Sequence, residues 1–332
     1  MAEFSAERIW GLGEEEFLAL LDSGKLRSRQ RVTFYTPSFA YHKTQVGCSQ
    51  PKFPTISVTG NSCALGCVHC GGKVLETMHS AETPEKLFAI AEKLKLEGAV
   101  GCLVSGGCLP DGSVPLDEFA PVLGRIKREL GLTVTVHTGI VNAKTANSLK
   151  EAGVDAALID VIGSDYTIRH VLNLDVTTNY YEHSLRALSD AELRFVPHVI
   201  VGLQDGKLGG EFEALTMIRR FELSALVVIA FMPIRGTVME HVKPPSPVDV
   251  ARVVAAARLM FPTTPLSLGC MRPKARHRAE TDVLALKAGV DGMAFPSEEA
   301  VTYAQSRGIE VGVSPYCCSQ IYVDMSLRSG SK

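Results

Sequence analysis

Three cysteines fall within nine residues of this chain, in SCALGCVHC (62–70), as Cys63, Cys67 and Cys70. Cysteine binds metal as the thiolate, and close spacing in one loop marks an iron–sulfur ligand set. A four-iron cubane held by three thiolates keeps one iron open for a small ligand. Gly66, Gly71 and Gly72 lie among these cysteines and let backbone wrap closely around a compact group. The competing reading is a structural zinc site, with His69 or a distant cysteine as fourth ligand. Zinc sites usually join two ligand couples across a longer loop, and no second couple at that spacing is visible.

The other cysteines are Cys48, Cys102, Cys108, Cys270, Cys317 and Cys318, nine in all. An odd total argues against a closed disulfide framework. The acidic start, MAEFSAERIWGLGEEEF, has no signal-peptide pattern, so a cytoplasmic protein with reduced thiols is expected. Hydrophobic residues make up 46% of the 332 positions and charged residues 21%, enough to bury a large core. The net charge of −2 gives no reason to expect a nucleic-acid partner, and no apolar run is long enough to imply a membrane.

The elements that must position these thiols follow from short apolar runs alternating with amphipathic segments. The runs are TISVTG (55–60), VGCLVSGG (100–107), LTVTVHTG (132–139), AALIDVIG (156–163), RFVPHVIVGL (194–203), ALVVIAFMP (225–233), PLSLGCM (265–271) and DGMAFP (291–296). Apolar or β-branched almost throughout, they suit strands buried on both faces of a parallel sheet. Helices are expected over 83–98, 115–130, 142–153, 177–193, 209–223, 246–261, 276–289 and 297–308. Eight strand–helix units in succession predict an α/β fold, a (β/α)8 TIM-type barrel over 54–308. An N-terminal lead-in (1–53) precedes it and a cysteine-bearing C-terminal extension (309–332) follows. Within the lead-in, VTFYTPSFAYH (32–42) could line the entry or belong to the core. The final SLRSGSK is expected to be disordered.

Chemistry in such barrels sits on the loops beyond the strands' carboxyl ends. Cys63, Cys67 and Cys70 follow the first strand and Cys108 the second. His137 ends the third, Asp160 the fourth and Cys270 the seventh. Cys102 lies inside a strand and reads as a small core residue. Ser105, Gly106 and Gly107 close the second strand with nearly bare backbone. Asp160 and Arg169 are candidates for hydroxyl or carboxylate ligands, the guanidinium suiting a carboxylate; surface ion pairing is equally open for each. His137 is open between ligand contact and a structural hydrogen bond, and His198 reads as structural. Cys108, Cys270, Cys317 and Cys318 avoid the strand interiors, which favours a second cluster over small buried residues.

The pattern Cys63-x3-Cys67-x2-Cys70 after the first barrel strand resembles the radical S-adenosylmethionine (SAM) superfamily. In that family the open iron of a [4Fe-4S] cluster chelates SAM. An electron then cleaves the sulfonium to a 5′-deoxyadenosyl radical, which abstracts hydrogen. The resemblance implies that Ser105, Gly106 and Gly107 meet the methionyl ammonium, that Gly202 in VIVGL meets adenine through its backbone, and that Phe231 in FMP packs on it. Two positions depart from the family: Cys108 stands where glutamate is usual, and His69 where an aromatic residue is usual.

SVTGNSCALGCVHCGG, PHVIVGL, FMPIRGT and LSLGC resemble the biotin synthase and lipoyl synthase branch. In biotin synthase an arginine after a serine-x-glycine ligates an auxiliary cluster; Cys270 follows Ser267-Leu268-Gly269 in that place. Biotin synthase also draws cluster cysteines from its second, third and fifth strands. Here only Cys108 is available, because His137 and Gly202 end the other two. From about residue 32 to 320 the chain is similar to the biotin-synthase-like component of two-protein lipoyl synthases, through GGC, LGCMRP, AFPSEEAV and the terminal CCS. That resemblance implies sulfur insertion into an octanoyl chain on a lipoyl-carrier protein, together with a second radical SAM protein. It also implies an electron donor such as ferredoxin or flavodoxin. A second [4Fe-4S] cluster on Cys108, Cys270, Cys317 and Cys318 would be consumed as sulfur donor. The rivals are another radical SAM reaction on a small molecule, and an Fe–S carrier or zinc-stabilised interaction protein.

Overall fold

The computed structural model describes residues 4–26, 30–37 and 52–329, with two short strands between the last two spans. The strands are β1 (Arg31–Tyr35), β2 (Lys43–Thr44), β3 (Gly47–Cys48), β4 (Thr55–Ser57), β5 (His79–Ser80), β6 (Gly101–Ser105), β7 (Thr133–His137), β8 (Ala156–Asp160), β9 (Phe195–Val201), β10 (Leu226–Ala230), β11 (Leu266–Leu268), β12 (Gly292–Ala294) and β13 (Glu310–Ser314). The helices are α1 (Ala6–Gly11), α2 (Glu14–Asp22), α3 (Pro84–Leu96), α4 (Ala120–Arg125), α5 (Ala143–Glu151), α6 (Asp165–His170), α7 (Thr178–Asp190), α8 (Glu211–Ile218), α9 (Pro247–Met260), α10 (Ala275–Ala288), α11 (Glu298–Ser306) and α12 (Ile321–Ser329).

The eight expected strand–helix units are present in order, as an α/β fold of TIM type. Local chemistry explains their starts. Thr83 caps α3 by accepting from Lys86 N, with proline at the first turn. Ser246 and Asp249 close a reciprocal capping box on α9, a pairing that satisfies two otherwise orphaned donors.

The main sheet runs β13-β1-β12-β11-β10-β9-β8-β7-β6-β4-β5, and its pairings are parallel. Three strands, β1, β5 and β13, add to the expected eight. The lead-in contributes β1, inserted between β12 and β13. Phe34 and Tyr35 on it are fully buried, so this part of the lead-in is core; Tyr41 lies outside the described residues. The sheet edges β13 and β5 do not pair with each other. Phe53, just before β4, and Tyr316, just after β13, stand with ring centroids 6.1 Å apart. The lead-in also supplies α1 and α2. Arg252 of α9 fastens them, donating to Ile9 O at 2.7 Å and lying 4.6 Å over the Phe17 ring.

Period-two alternation sorts each strand into two cores. On β8, Ala157 and Ile159 face the helices, while Ala156 and Leu158 face a lumen. Tyr35, Val196, Val227 and Ala294 join the same lumen cluster. These strands lie far apart in the sheet order, so the sheet must curl for them to meet. Cys102 belongs to the outer core, as a small residue between sheet and helices.

The chain's own C-terminal segment fills the lumen. After β13 it turns inward through a 3-10 turn at Cys318–Gln320 and continues as α12. Cys318 and Ile321 are buried in the lumen cluster, with Tyr322 and Met325 packed on it. Ser267 Oγ on β11 donates to Cys318 O at 3.2 Å. Tyr35 OH donates to Asp324 Oδ2 at 2.7 Å. Tyr322 OH donates to the carbonyl of Asp155, at the opposite end of β8 from Asp160, at 3.2 Å. The expectation of a disordered tail fails for Ser326–Ser329, which continue α12; residues 330–332 lie outside the described residues. The reason is the apolar face formed by Ile321, Tyr322 and Met325, which the lumen buries.

Candidate functional site

Strand register sets the floor of the site. Asp160 pairs with His198, so their side chains share a face. Alternation puts His137, Asp160 and His198 on the lumen side. Their ligand atoms lie within 4.8 Å of one another. His137 Nε2 is 3.5 Å from Asp160 Oδ1, and the His137 and His198 ring centroids are 5.7 Å apart. Burial alone would weaken the His137 imidazolium, but the Asp160 carboxylate outweighs it and its pKa ends raised. Burial likewise opposes the Asp160 carboxylate, and His137 more than compensates, so its pKa ends lowered. For His198 burial outweighs the pull of the Asp160 carboxylate, and its pKa falls to about 4.

The three-cysteine loop leaves β4 and is folded by its own backbone. Cys70 N and Gly71 N both donate to Cys67 O, at 3.2 and 2.7 Å, and Lys73 N donates to Cys70 O at 2.8 Å. The segment after α6 clamps it from outside. Val68 N donates to Val171 O at 2.9 Å, and Asn173 Nδ2 donates to Leu65 O and Gly66 O at 3.2 and 2.9 Å. The ligand atoms of Cys67, His69 and Cys70 lie within 4.8 Å of one another. His69 is therefore turned toward the thiols. A hydrogen bond from Cys67 lowers the Cys70 thiol to about 4, and one from Cys108 lowers Cys63 to about 5. Cys67 is pushed up by its bond to Cys70 and by burial. A loop that already favours two thiolates is chemically suited to a cationic iron cluster.

Behind the loop, Gly107 explains the glycine pair. A Cβ there would lie 2.0 Å from Ser62 O and 2.6 Å from Cys63 Cβ, so only glycine lets the strand end meet the loop. Gly107 N donates to Thr59 Oγ1 at 2.7 Å. Ser105 Oγ is occupied, donating to His137 O at 3.0 Å. Gly202 follows β9 at φ 76°, with Pro245 only 2.6 Å from where a Cβ would sit. Its N–H donates at 2.8 Å to Glu211 Oε1, a buried carboxylate the sequence reading passed over. Phe231 is buried and its N–H donates to Val201 O at 2.8 Å. Arg169 is exposed on α6, 3.9 Å from the Asp175 carboxylate, in a surface ion pair.

The remaining thiols divide. Cys317 and Cys318 are hydrogen-bonded to each other, which lowers Cys317 to about 6 and raises Cys318. Cys270 is raised to about 11, first by burial and then by Cys317. These three share the lumen cluster. Cys108 stands instead with Cys63, whose hydrogen bond raises it, and it faces Cys70 and Asp160. Cys48 falls on β3.

One residue absent from the sequence reading organises the Cys270 turn. Arg272 is fully buried, with Nε 2.7 Å from Asp282 Oδ1 and Nη2 3.1 Å from Oδ2. Its guanidinium also donates to Gly269 O and, at 3.1 Å, to Phe295 O, joining the ends of β11 and β12. The LGCMRP run held the signal: an arginine four residues past a strand end, followed by an aspartate on the next helix.

Residues 57–206 match the family model of the radical SAM superfamily. A biotin synthase of Leptospira biflexa is 27% identical over 226 residues, covering 65% of this chain and 62% of that protein. A biotin synthase of Geotalea daltonii is 25% identical over 222 residues, covering 64% of this chain and 66% of that one. The chain thus spans just under two thirds of the length of these two relatives. A biotin synthase of Neorickettsia sennetsu is 24% identical across 90% of both chains. Among solved structures, methylornithine synthase (PylB) aligns over 98% of this chain and 97% of its own, at 16% identity and a TM-score of 0.65, a likeness of fold. Over residues 57–206, with the three-cysteine loop at the mouth of a curled parallel sheet, the chain is similar to the radical SAM superfamily, and beyond that stretch to biotin synthases at 24–27% identity.

Proposed function

We propose that this protein is a cytoplasmic radical SAM sulfurtransferase of lipoyl synthase type. It would insert sulfur into an octanoyl chain carried on a protein, working with a second radical SAM protein and an electron donor such as ferredoxin or flavodoxin. Cys63, Cys67 and Cys70 would hold a [4Fe-4S] cluster, and Ser105, Gly106, Gly107, His137, Asp160, Gly202 and Phe231 would surround SAM. When bound, that pair supplies a primary alkyl radical able to take hydrogen from an unactivated C–H bond.

The observation that carries the proposal is the gathering of Cys270, Cys317 and Cys318 in one lumen cluster. A sulfur source held there shares the barrel mouth with the radical site, which favours capture of a carbon radical before it escapes. That source, a second [4Fe-4S] cluster, is read as a substrate. Two of its thiols come from the C-terminal segment and none from β7 or β9, unlike the biotin synthase arrangement described above. His137 and Asp160 can hold and move a proton at the imidazole Nε2. The curated relatives favour a second reading, sulfur insertion into a small molecule on the way to biotin.

Anaerobic turnover separates the two. With an octanoylated carrier peptide and the partner protein, mass spectrometry should show a gain of sulfur on the peptide. Sulfur entering only a biotin precursor would replace the lipoyl reading.

A further inference from the structure

We propose that Cys108 belongs to the three-cysteine loop as a fourth thiolate, capping in the resting protein the iron that SAM takes on binding. The inference rests on the family resemblance and stands apart from the lipoyl reading. It withdraws Cys108 from the second thiol set and leaves that set to Cys270, Cys317 and Cys318.

The backbone brings Cys108 to the loop. Gly107, immediately before it, sits against Cys63, where a Cβ would lie 2.7 Å from Cys63 Cα. Ala64 N donates to Cys108 O at 2.8 Å, fixing residue 108 beside the first ligand of the loop. The Cys108 thiol is hydrogen-bonded to Cys63 and faces Cys70. Cys317, by contrast, faces Cys318, Ser319 and His137. Cys63 and Cys108 are half-buried, and Cys67 and Cys70 buried. Four thiols thus converge where three suffice for an open cubane.

Chemistry gives the fourth a purpose. Thiolate is a softer and stronger ligand for iron–sulfur sites than a carboxylate. A free iron corner is exposed to water and oxygen, and Cys108 would cover it. The exchange is redox-neutral: Cys108 sulfur leaves iron and takes the proton that the SAM ammonium gives up, and the resulting amine and the carboxylate of SAM replace it. Capping also reduces apparent SAM affinity by the fraction of protein held in the capped form.

The test uses anaerobically reconstituted full-length protein in a Cys270→Ala background, which removes the second set. Cys108→Ala should keep about four irons. It should change the electron paramagnetic resonance spectrum of the reduced cluster without SAM, leave the SAM-bound spectrum unchanged, and tighten SAM binding at least about five-fold. An unchanged SAM-free spectrum together with unchanged affinity would overturn the proposal. So would a loss of about four irons from Cys108→Ala in the otherwise native protein with the SAM-cleaving cluster intact, since that places Cys108 in the second set. A variant-free arm guards against misfolding. In native holoprotein, iodoacetamide labelling of Cys108, read by peptide mass spectrometry, should rise when SAM is added. Equal labelling with and without SAM contradicts the cap.

Discussion

Cys63, Cys67 and Cys70 come from one loop that folds on its own backbone hydrogen bonds, whereas Cys270 and the Cys317–Cys318 pair come from distant segments that meet only in the lumen. The first set needs a short stretch of chain, its glycines, and clamps on its backbone from Val171, Asn173 and Cys108 beside it. The second needs the whole sheet to curl, Arg272 to tie β11 to β12, and α12 to thread the barrel. Local assembly tolerates damage elsewhere; assembly by long-range packing does not. Disturbances of the lumen should therefore strip the second set while sparing the first.

Ligand substitutions should separate the two most sharply. Cys63→Ala should abolish reductive SAM cleavage, by more than about a hundred-fold if the loop holds the cofactor that does the chemistry. Cys270→Ala should retain cleavage and lose sulfur insertion. Loss of cleavage in both variants would merge the two regions into one site.

Removing a fully buried charge partner comes next. Arg272→Met leaves the Asp282 carboxylate uncompensated at zero exposure, which costs about 3–5 kcal/mol. Denaturant titration should show that loss, with iron falling first at the second set. Equal loss of both sets would mean that the three-cysteine loop also depends on this clamp.

These two effects bear on what the sequence made legible. The cysteine loop and the eight units were readable because spacing and apolar runs are local signals. Boundaries agreed closely for the helix expected over 246–261 and found as Pro247–Met260, and less so for 115–130, where the α-helix is Ala120–Arg125. Arg272 was not readable as a clamp, because its partners Asp282 and Phe295 meet it only in three dimensions. β1 was missed because a single strand in a lead-in has no following helix to announce it. The tail expectation covered only 326–332, and its first four residues extend a helix that begins earlier, on the apolar face at Ile321 and Tyr322. Cys108 looked like a second-set residue by its position after a strand, while the structure seats it on Cys63.

A smaller effect concerns pH. His198 titrates at about 4 in the folded chain, against an ordinary value near 6.5. As pH falls from about 6.5 toward 4, the unfolded chain takes up a proton that the folded chain refuses, so stability falls over that window. The full effect is on the order of 3 kcal/mol. Denaturation midpoints of metal-free protein at pH 7 and pH 5 should diverge, and His198→Gln should reduce the divergence. An unaltered slope in the variant would assign the pH dependence to other groups.

The smallest expected change is Tyr35→Phe. It removes the hydrogen bond to Asp324 that anchors α12, worth about 1 kcal/mol for such a contact. Hydrogen exchange over residues 321–325 should quicken while exchange over 63–72 stays the same. Equal quickening in both would deny that the loop is independent of the lumen.

The central claim is that the three-cysteine loop binds an iron cluster that presents SAM for reductive cleavage. The direct measurement is metal content and SAM cleavage in oxygen-free, reconstituted protein reduced with dithionite. Iron bound and SAM converted to methionine and 5′-deoxyadenosine, both dependent on Cys63, is the predicted result. Zinc held by Cys67, His69 and Cys70, with SAM left intact, would contradict it.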